Sequence, residues 1–176
     1  FISYAKQNGG CLKISYQDEH LKSIMGMMIT IQTVWHIVKQ IGSNFDIEFK
    51  VEAYRDDKGN ANKICTNMPS SEVRDKWLSN FTNAWIDDLK YDQNIEGHLL
   101  PVISVPKRTL THWRVLSITC GNKKLSLYPD GGFINEWNIA RQPNGERFEV
   151  ETITYDTKIY LYRNKDIKFD IAIENC

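Results

Sequence analysis

The sequence predicts an α+β domain in which two amphipathic helices pack on an antiparallel β meander of about six to seven strands. Three observations carry this. Two long segments of the first half repeat apolar residues at steps of three and four. The strand between them alternates with a period of two. After Gly97 the helical period disappears, and short apolar runs separated by turn residues take over.

The elements follow in chain order. Leu21, Ile24, Met28, Ile31, Trp35 and Val38 form one stripe of a helix over about residues 18–41, and Gly42 stands where a left-handed C-terminal cap belongs. Residues 12–16, just before it, fit a strand as well as a helix. In the strand that follows, Phe45, Ile47, Phe49, Val51 and Ala53 point one way, and Asp46, Glu48, Lys50, Glu52 and Tyr54 the other. Residues 56–60 have turn chemistry, and a loop continues to Pro69. A second helix starts at Ser70 or Ser71, either a good N-cap, carries Val73, Trp77, Phe81, Ala84 and Leu89 on one stripe, and ends before Gly97. Strands are expected at 102–105, 112–120, 123–128, 148–155, 158–163 and 167–173, with hairpin turns at 121–122, 156–157 and 164–166. No repeat or linker interrupts this, so residues 1–176 read as one domain, a helical lobe over about 11–97 and a β lobe over about 98–176.

Composition narrows the function. Twenty-two basic and twenty-two acidic side chains cancel, so no global field draws the chain to nucleic acid, and no nucleic-acid partner is expected. The longest apolar stretch, 24–31, is far shorter than the roughly 20 residues a membrane span needs. Cysteines at 11, 65, 120 and 176 lack Cys-x-x-Cys spacing, so neither a structural zinc nor any other metal or cofactor is expected. The even count suits two disulfides in a secreted chain, and Asn80-Phe81-Thr82 matches the glycosylation acceptor pattern, although it falls within a helix. Composition does not decide between a cytoplasmic and a secreted location.

The most suggestive chemistry surrounds His112. It stands at the mouth of the strand that includes Trp113 to Ile118, and the next strand leads to Asp130-Gly131-Gly132. Two such paired strands bring His112 and Asp130 to one sheet edge, where a carboxylate can hold an imidazole in the tautomer a general base needs. Residues 100–132 thereby resemble the histidine-bearing hairpin of papain-like cysteine proteases in the broad sense, viral leader proteases and OTU-type deubiquitinases included. The turn at Gln7-Asn8-Gly9-Gly10-Cys11 is similar to the one preceding their nucleophile. The resemblance implies a cysteine hydrolase, a protease or deubiquitinase-like enzyme acting on a protein or peptide. Cys11 would be the nucleophile, His112 the base, Asp130 the orienting group, and Gln7 or Asn8 an oxyanion donor beside the Cys11 amide. In the order of ubiquitin-like-protein proteases the nucleophile follows the aspartate, which would make it Cys176.

Other readings compete. Glu48-Phe49-Lys50 matches the carboxylate-x-lysine pair of metal-dependent nucleases, but a solvated sheet face explains it equally. His20 and His36 stand too far apart on one helix to share a metal, and Gly131-Gly132 lacks any phosphate-loop context. The tryptophans at 35, 77, 85, 113 and 137 read mostly as core. The alternatives to the hydrolase are a non-catalytic domain that binds a protein or ligand, secreted and disulfide-bonded, and a structural subunit using Tyr160 and Tyr162 as interface anchors. The oligomeric state is not legible.

Overall fold

The computed structural model describes residues 1–53, 68, 70–106, 109–110, 114–129, 137–139, 161–163 and 169–176. Its elements are α1 (Ile2–Asn8), β1 (Leu12–Asp18), α2 (Ile24–Ile41), β2 (Phe45–Glu52), α3 (Ser71–Gln93), β3 (Gly97–Leu99), β4 (Ile103–Val105), β5 (Val115–Cys120), β6 (Lys123–Pro129), β7 (Trp137–Ile139), β8 (Leu161–Arg163) and β9 (Phe169–Asn175). The α+β class stands: three helices accompany a mixed sheet of seven strands, ordered β3-β2-β1-β5-β6-β9, with β4 pairing a second stretch of β2.

Two pairing regimes meet at β1. Towards one edge β1, β2, β3 and β4 run parallel, with Leu12 opposite Phe45 and Asp18 opposite Val51. Parallel neighbours need a crossover, and α2 and α3 provide it. Towards the other edge β5, β6 and β9 form an antiparallel meander, with Gln17 opposite Val115 and Leu125 opposite both Ile118 and Ile173. Gly121 turns the β5–β6 hairpin at φ +56, a left-handed value that favours glycine. Asn122 in that turn accepts from the Tyr4 hydroxyl at 2.7 Å, and its carbonyl accepts from the Cys176 amide at 2.7 Å.

The helices occupy the face on which Leu12, Ile14 and Tyr16 of β1 and Phe45, Ile47 and Phe49 of β2 are buried. Leu116, Ile118 and Cys120 of β5 extend that core across the antiparallel half. Both long helices are capped by side chains at their starts, and α2 also has its expected C-terminal glycine. Ser23 accepts the Gly26 amide at 3.2 Å, Ser70 accepts the Val73 amide at 3.4 Å, and Gly42 closes α2 at φ 76. Each serine cap contributes about 1 kcal/mol. The Asp46, Glu48 and Lys50 face of β2 is polar and half-buried, as its alternation indicated.

The helix expected over about 18–41 is α2, and it starts six residues later than the apolar period suggests. Asp18 ends β1, held there by side-chain bonds within the sheet, while Leu21 joins the core from the turn that follows. Residues 12–16, ambiguous by pattern, are strand because both neighbours, β2 and β5, are supplied from far along the chain.

Candidate functional site

The carboxyl ends of β1 and β2 gather buried charge, the place where ligands of parallel sheets usually sit. Arg74, in the first turns of α3, is wholly buried. Its Nη1 donates to the Glu52 carbonyl at 2.8 Å, Nη2 donates to Ser104 Oγ at 2.9 Å, and Nε donates to Asp75 Oδ1 at 2.7 Å. Ser104 Oγ returns a bond to Asp75 Oδ2 at 2.7 Å. One guanidinium thus ties the start of α3 to the ends of β2 and β4.

A second network lies at the end of β1. Asp18 Oδ2 accepts from the Tyr16 hydroxyl at 2.8 Å, Oδ1 accepts from the His20 amide at 2.6 Å, and Arg114 Nε stands 3.4 Å from Oδ1. Burial, then the negative charge of Asp18, holds the Tyr16 phenol well above its ordinary value, so it stays a neutral donor. His20 Nε2 meets Glu19 Oε1 at 2.6 Å. These are charges consumed by one another, and among the described residues no group of three His, Cys, Asp or Glu side chains is placed to hold a metal ion.

Cys11 occupies the opposite end of the sheet, one residue before β1. Its thiol is pushed up from the ordinary value, first by burial and then by the Asp46 carboxylate, which works against the thiolate a nucleophile requires. β1 and not a helix follows it, so no helix N-terminus stabilises its anion. Asn8 ends α1 with its amide donating to the Tyr4 carbonyl at 2.8 Å, and Gln7 is exposed on the same turn. His112, Asp130 and Cys65 lie outside the described residues. The described residues nearest the first two in sequence, Arg114 and Pro129, stand at the Asp18 end of the sheet. Cys11, Cys120 and Cys176 are free thiols, so among the described residues no pair forms the disulfide expected of a secreted form. In the Asn80 acceptor pattern, Thr82 is buried and bonded to the Leu78 carbonyl.

Two grooves are lined by described residues, each about 310 Å³. One crosses the polar face of the sheet, lined by Lys13, Ser15, Asp46, Glu48, Ser117 and Thr119, where the nuclease-like Glu48 and Lys50 share their face with mixed charge. The other lies between α2 and α3, lined by Ile31, Gln32, Trp35, His36, Phe81 and Trp85. Two of its lining residues, Trp35 and Trp85, bury their indole N–H groups out of reach of solvent, and neither N–H donates to an acceptor. A buried donor without an acceptor costs about 1–3 kcal/mol, so this is the least satisfied polar chemistry among the described residues.

Sequence reasoning missed Arg74 and this groove. A cation in the first turns of α3 opposes the helix dipole, and that misplacement was the available signal for Arg74. Trp35 and Trp85 read as core, which they are, but no pattern reveals whether an indole N–H finds an acceptor.

A family model described as YjiV_C, the C-terminal domain of the DEAD/DEAH box helicase YjiV, matches residues 3–168. No curated protein matches the chain. The family match overturns the resemblance to papain-like cysteine proteases, and with it the expectation of a thiol hydrolase built on Cys11, His112 and Asp130. The physical reason the resemblance misled is that a histidine at a strand mouth and an aspartate in a turn are ordinary features of an antiparallel hairpin such as β5–β6. No helix among the described residues is long and apolar enough to cross a membrane.

Proposed function

The chain belongs to the family of the YjiV helicase C-terminal domain, and from that membership we propose that it is a non-catalytic accessory domain working in cis with a DEAD/DEAH-box helicase motor. The match over residues 3–168 is the observation that carries this reading, since it spans nearly the whole chain. Two features support it. The sequence contains no Gly-x-x-x-x-Gly-Lys-Ser/Thr phosphate loop, so the nucleotide chemistry of a helicase belongs to another part of such a protein. The charged groups at the strand ends are tied into structural bonds, which suits a rigid platform.

The test is made in a full-length helicase that carries this domain. Deleting it should leave nucleotide hydrolysis in place and lower strand unwinding, or the affinity for the nucleic-acid substrate, several-fold. The 176-residue chain alone should hydrolyse no ATP. Unwinding and substrate affinity that survive the deletion unchanged would overturn the reading.

A further inference from the structure

We propose that the outer edge of β9 is a self-association surface: two copies of the chain join by antiparallel pairing of their β9 strands about a two-fold axis at Ile171, which continues one sheet into the other. The inference goes beyond the accessory-domain reading and does not depend on it.

Among the described residues, β6 flanks β9 on one side and no strand flanks it on the other. The Cys176 amide donates to the Asn122 carbonyl at 2.7 Å, continuing the register that sets Asn175 opposite Lys123. Hydrogen-bonded positions alternate along an antiparallel pair, so Asp170, Ala172 and Glu174 bond to β6, and the N–H and C=O groups of Phe169, Ile171 and Ile173 turn to the open edge. That assignment leaves Pro129, which has no N–H, opposite Phe169 at a position that needs none. The side chains agree with the backbone. Ile171 and Ile173 pair with Leu127 and Leu125, on the face that Leu116 and Ile118 of β5 carry into the core. They are nevertheless 65% and 56% exposed. The apolar face of the sheet thus runs past the covered core to an edge strand seven residues long, an arrangement that invites a further strand.

The strand's own sequence selects a second copy as that neighbour. Read outward from Ile171 in both directions, Asp170-Phe169-Lys168 is matched by Ala172-Ile173-Glu174. Antiparallel pairing about that centre sets Ile171 against its own counterpart, Phe169 against Ile173 and Asp170 against Ala172, and the same symmetry of the sequence matches a cation, Lys168, to an anion, Glu174. The residues whose backbone groups face outward then meet one another, and their three pairs exchange about six N–H···O bonds. Shifting the register so that Ile171 meets Ile173 sets Asp170 against Glu174 twice, and like charges directly opposite destabilise a sheet. The other edge of the described sheet does not compete, because β3 and β4 are three residues each and Pro101 and Pro106 flank the second of them. A two-fold pairing of identical edges closes on itself, so association ends at the dimer. The contact is small beside a standard interface, and the dimer is accordingly weak, with a Kd on the order of 100 μM.

The test is sedimentation equilibrium of the 176-residue chain from about 10 μM to about 1 mM, a range that brackets the expected Kd, over which monomer should give way to dimer. Ile171→Lys sets two ammonium groups together at the two-fold axis and should raise the Kd at least about tenfold. Ile171 is exposed in the single chain, so that variant keeps its fold. Ala172→Glu brings a second carboxylate against Asp170 of the other copy and should weaken the dimer several-fold. Adding Asp170→Lys to it turns that repulsion into an attraction and should restore the dimer. Amide hydrogen exchange reads the edge itself: on dilution the amides of Phe169, Ile171 and Ile173 should lose protection, while those of Asp170, Ala172 and Glu174 keep the protection that β6 gives them. A chain that stays monomeric up to about 1 mM, association that continues past the dimer, or a dimer that Ile171→Lys and Ala172→Glu both leave unchanged would overturn the proposal. So would protection of the Ile171 and Ile173 amides that survives dilution, because the edge would then be closed within one chain. Failure of Asp170→Lys to restore the Ala172→Glu dimer would overturn the pairing about Ile171.

Discussion

At the carboxyl ends of β1 and β2 a buried guanidinium meets acceptors from α3, β2 and β4, while partway along α2 and α3 two buried indole N–H groups meet none. Both regions place polar atoms out of water, and they differ in whether those atoms are answered. Where burial and pairing coincide, the polar group fixes the geometry of the fold, and its loss leaves partners stranded. Where burial comes without pairing, the fold bears a cost with no structural return. Polar satisfaction therefore separates scaffold from candidate site better here than the density of charge does.

The sharpest way to break this comparison is Arg74→Ala. It removes the donor from the Glu52 carbonyl and Ser104 and leaves Asp75 without its cation at the edge of the core. Breaking a buried pair by removing one partner costs about 3–5 kcal/mol, which urea unfolding of the variant should show as the largest loss of the set. A loss under about 1 kcal/mol would mean the clamp is ornamental, since that is the scale of an exposed ion pair.

Next in size is Gly97→Ala, which tests the packing beneath the groove. A Cβ at Gly97 would stand inside contact distance of the Phe45 ring, and Phe45 packs on Trp85 with centroids 5.5 Å apart. Overpacking of a closed core typically costs about 1–3 kcal/mol. The displaced Phe45 ring should also shift Trp85 emission, which ties the stability change to the groove.

Tyr16→Phe probes the paired region through pH. The phenol is a neutral donor to Asp18, and burial and the Asp18 charge hold its pKa in the fold well above the ordinary tyrosine value. At neutral pH the variant should lose about 1.5–3 kcal/mol, the value of a hydrogen bond to a charged acceptor. Above pH 10 the unfolded chain ionises this tyrosine while the folded chain keeps it protonated. Wild-type stability attributable to Tyr16 is therefore present below that pH and lost as pH rises towards the folded value. The gap between wild type and Tyr16→Phe should accordingly narrow in alkali, as read from denaturant midpoints at pH 7 and above pH 10.

These contrasts also show what the sequence made legible. The helical stripe through Ile24, Ile31 and Val38, the caps at Gly42 and Ser70, and the alternation from Phe45 to Val51 are local patterns, and each stands in the structure. The parallel pairing of β1 with β2 is not local: the partner of Leu12 is Phe45, beyond an entire helix, and a half-buried alternating strand looks the same whichever way its neighbour runs. The site was less legible still. Arg74 looks like any surface arginine until Glu52, Ser104 and Asp75 converge on it. Trp35 and Trp85 carry their information in a missing bond, which only three dimensions reveal.

The smallest expected effect on stability is the most telling one. Trp35→Phe keeps an aromatic ring on α2 and removes a buried N–H that has no acceptor. The lost ring area costs something, because Trp35 packs against the core, but the unanswered donor goes with it. The two changes oppose each other, so the net should stay within about 1 kcal/mol of wild type in urea unfolding. The same substitution at a tryptophan whose N–H was well bonded would leave an acceptor stranded and cost more. If Trp35→Phe is instead among the most destabilising of the four, the indole N–H has an acceptor in solution and the two regions are alike.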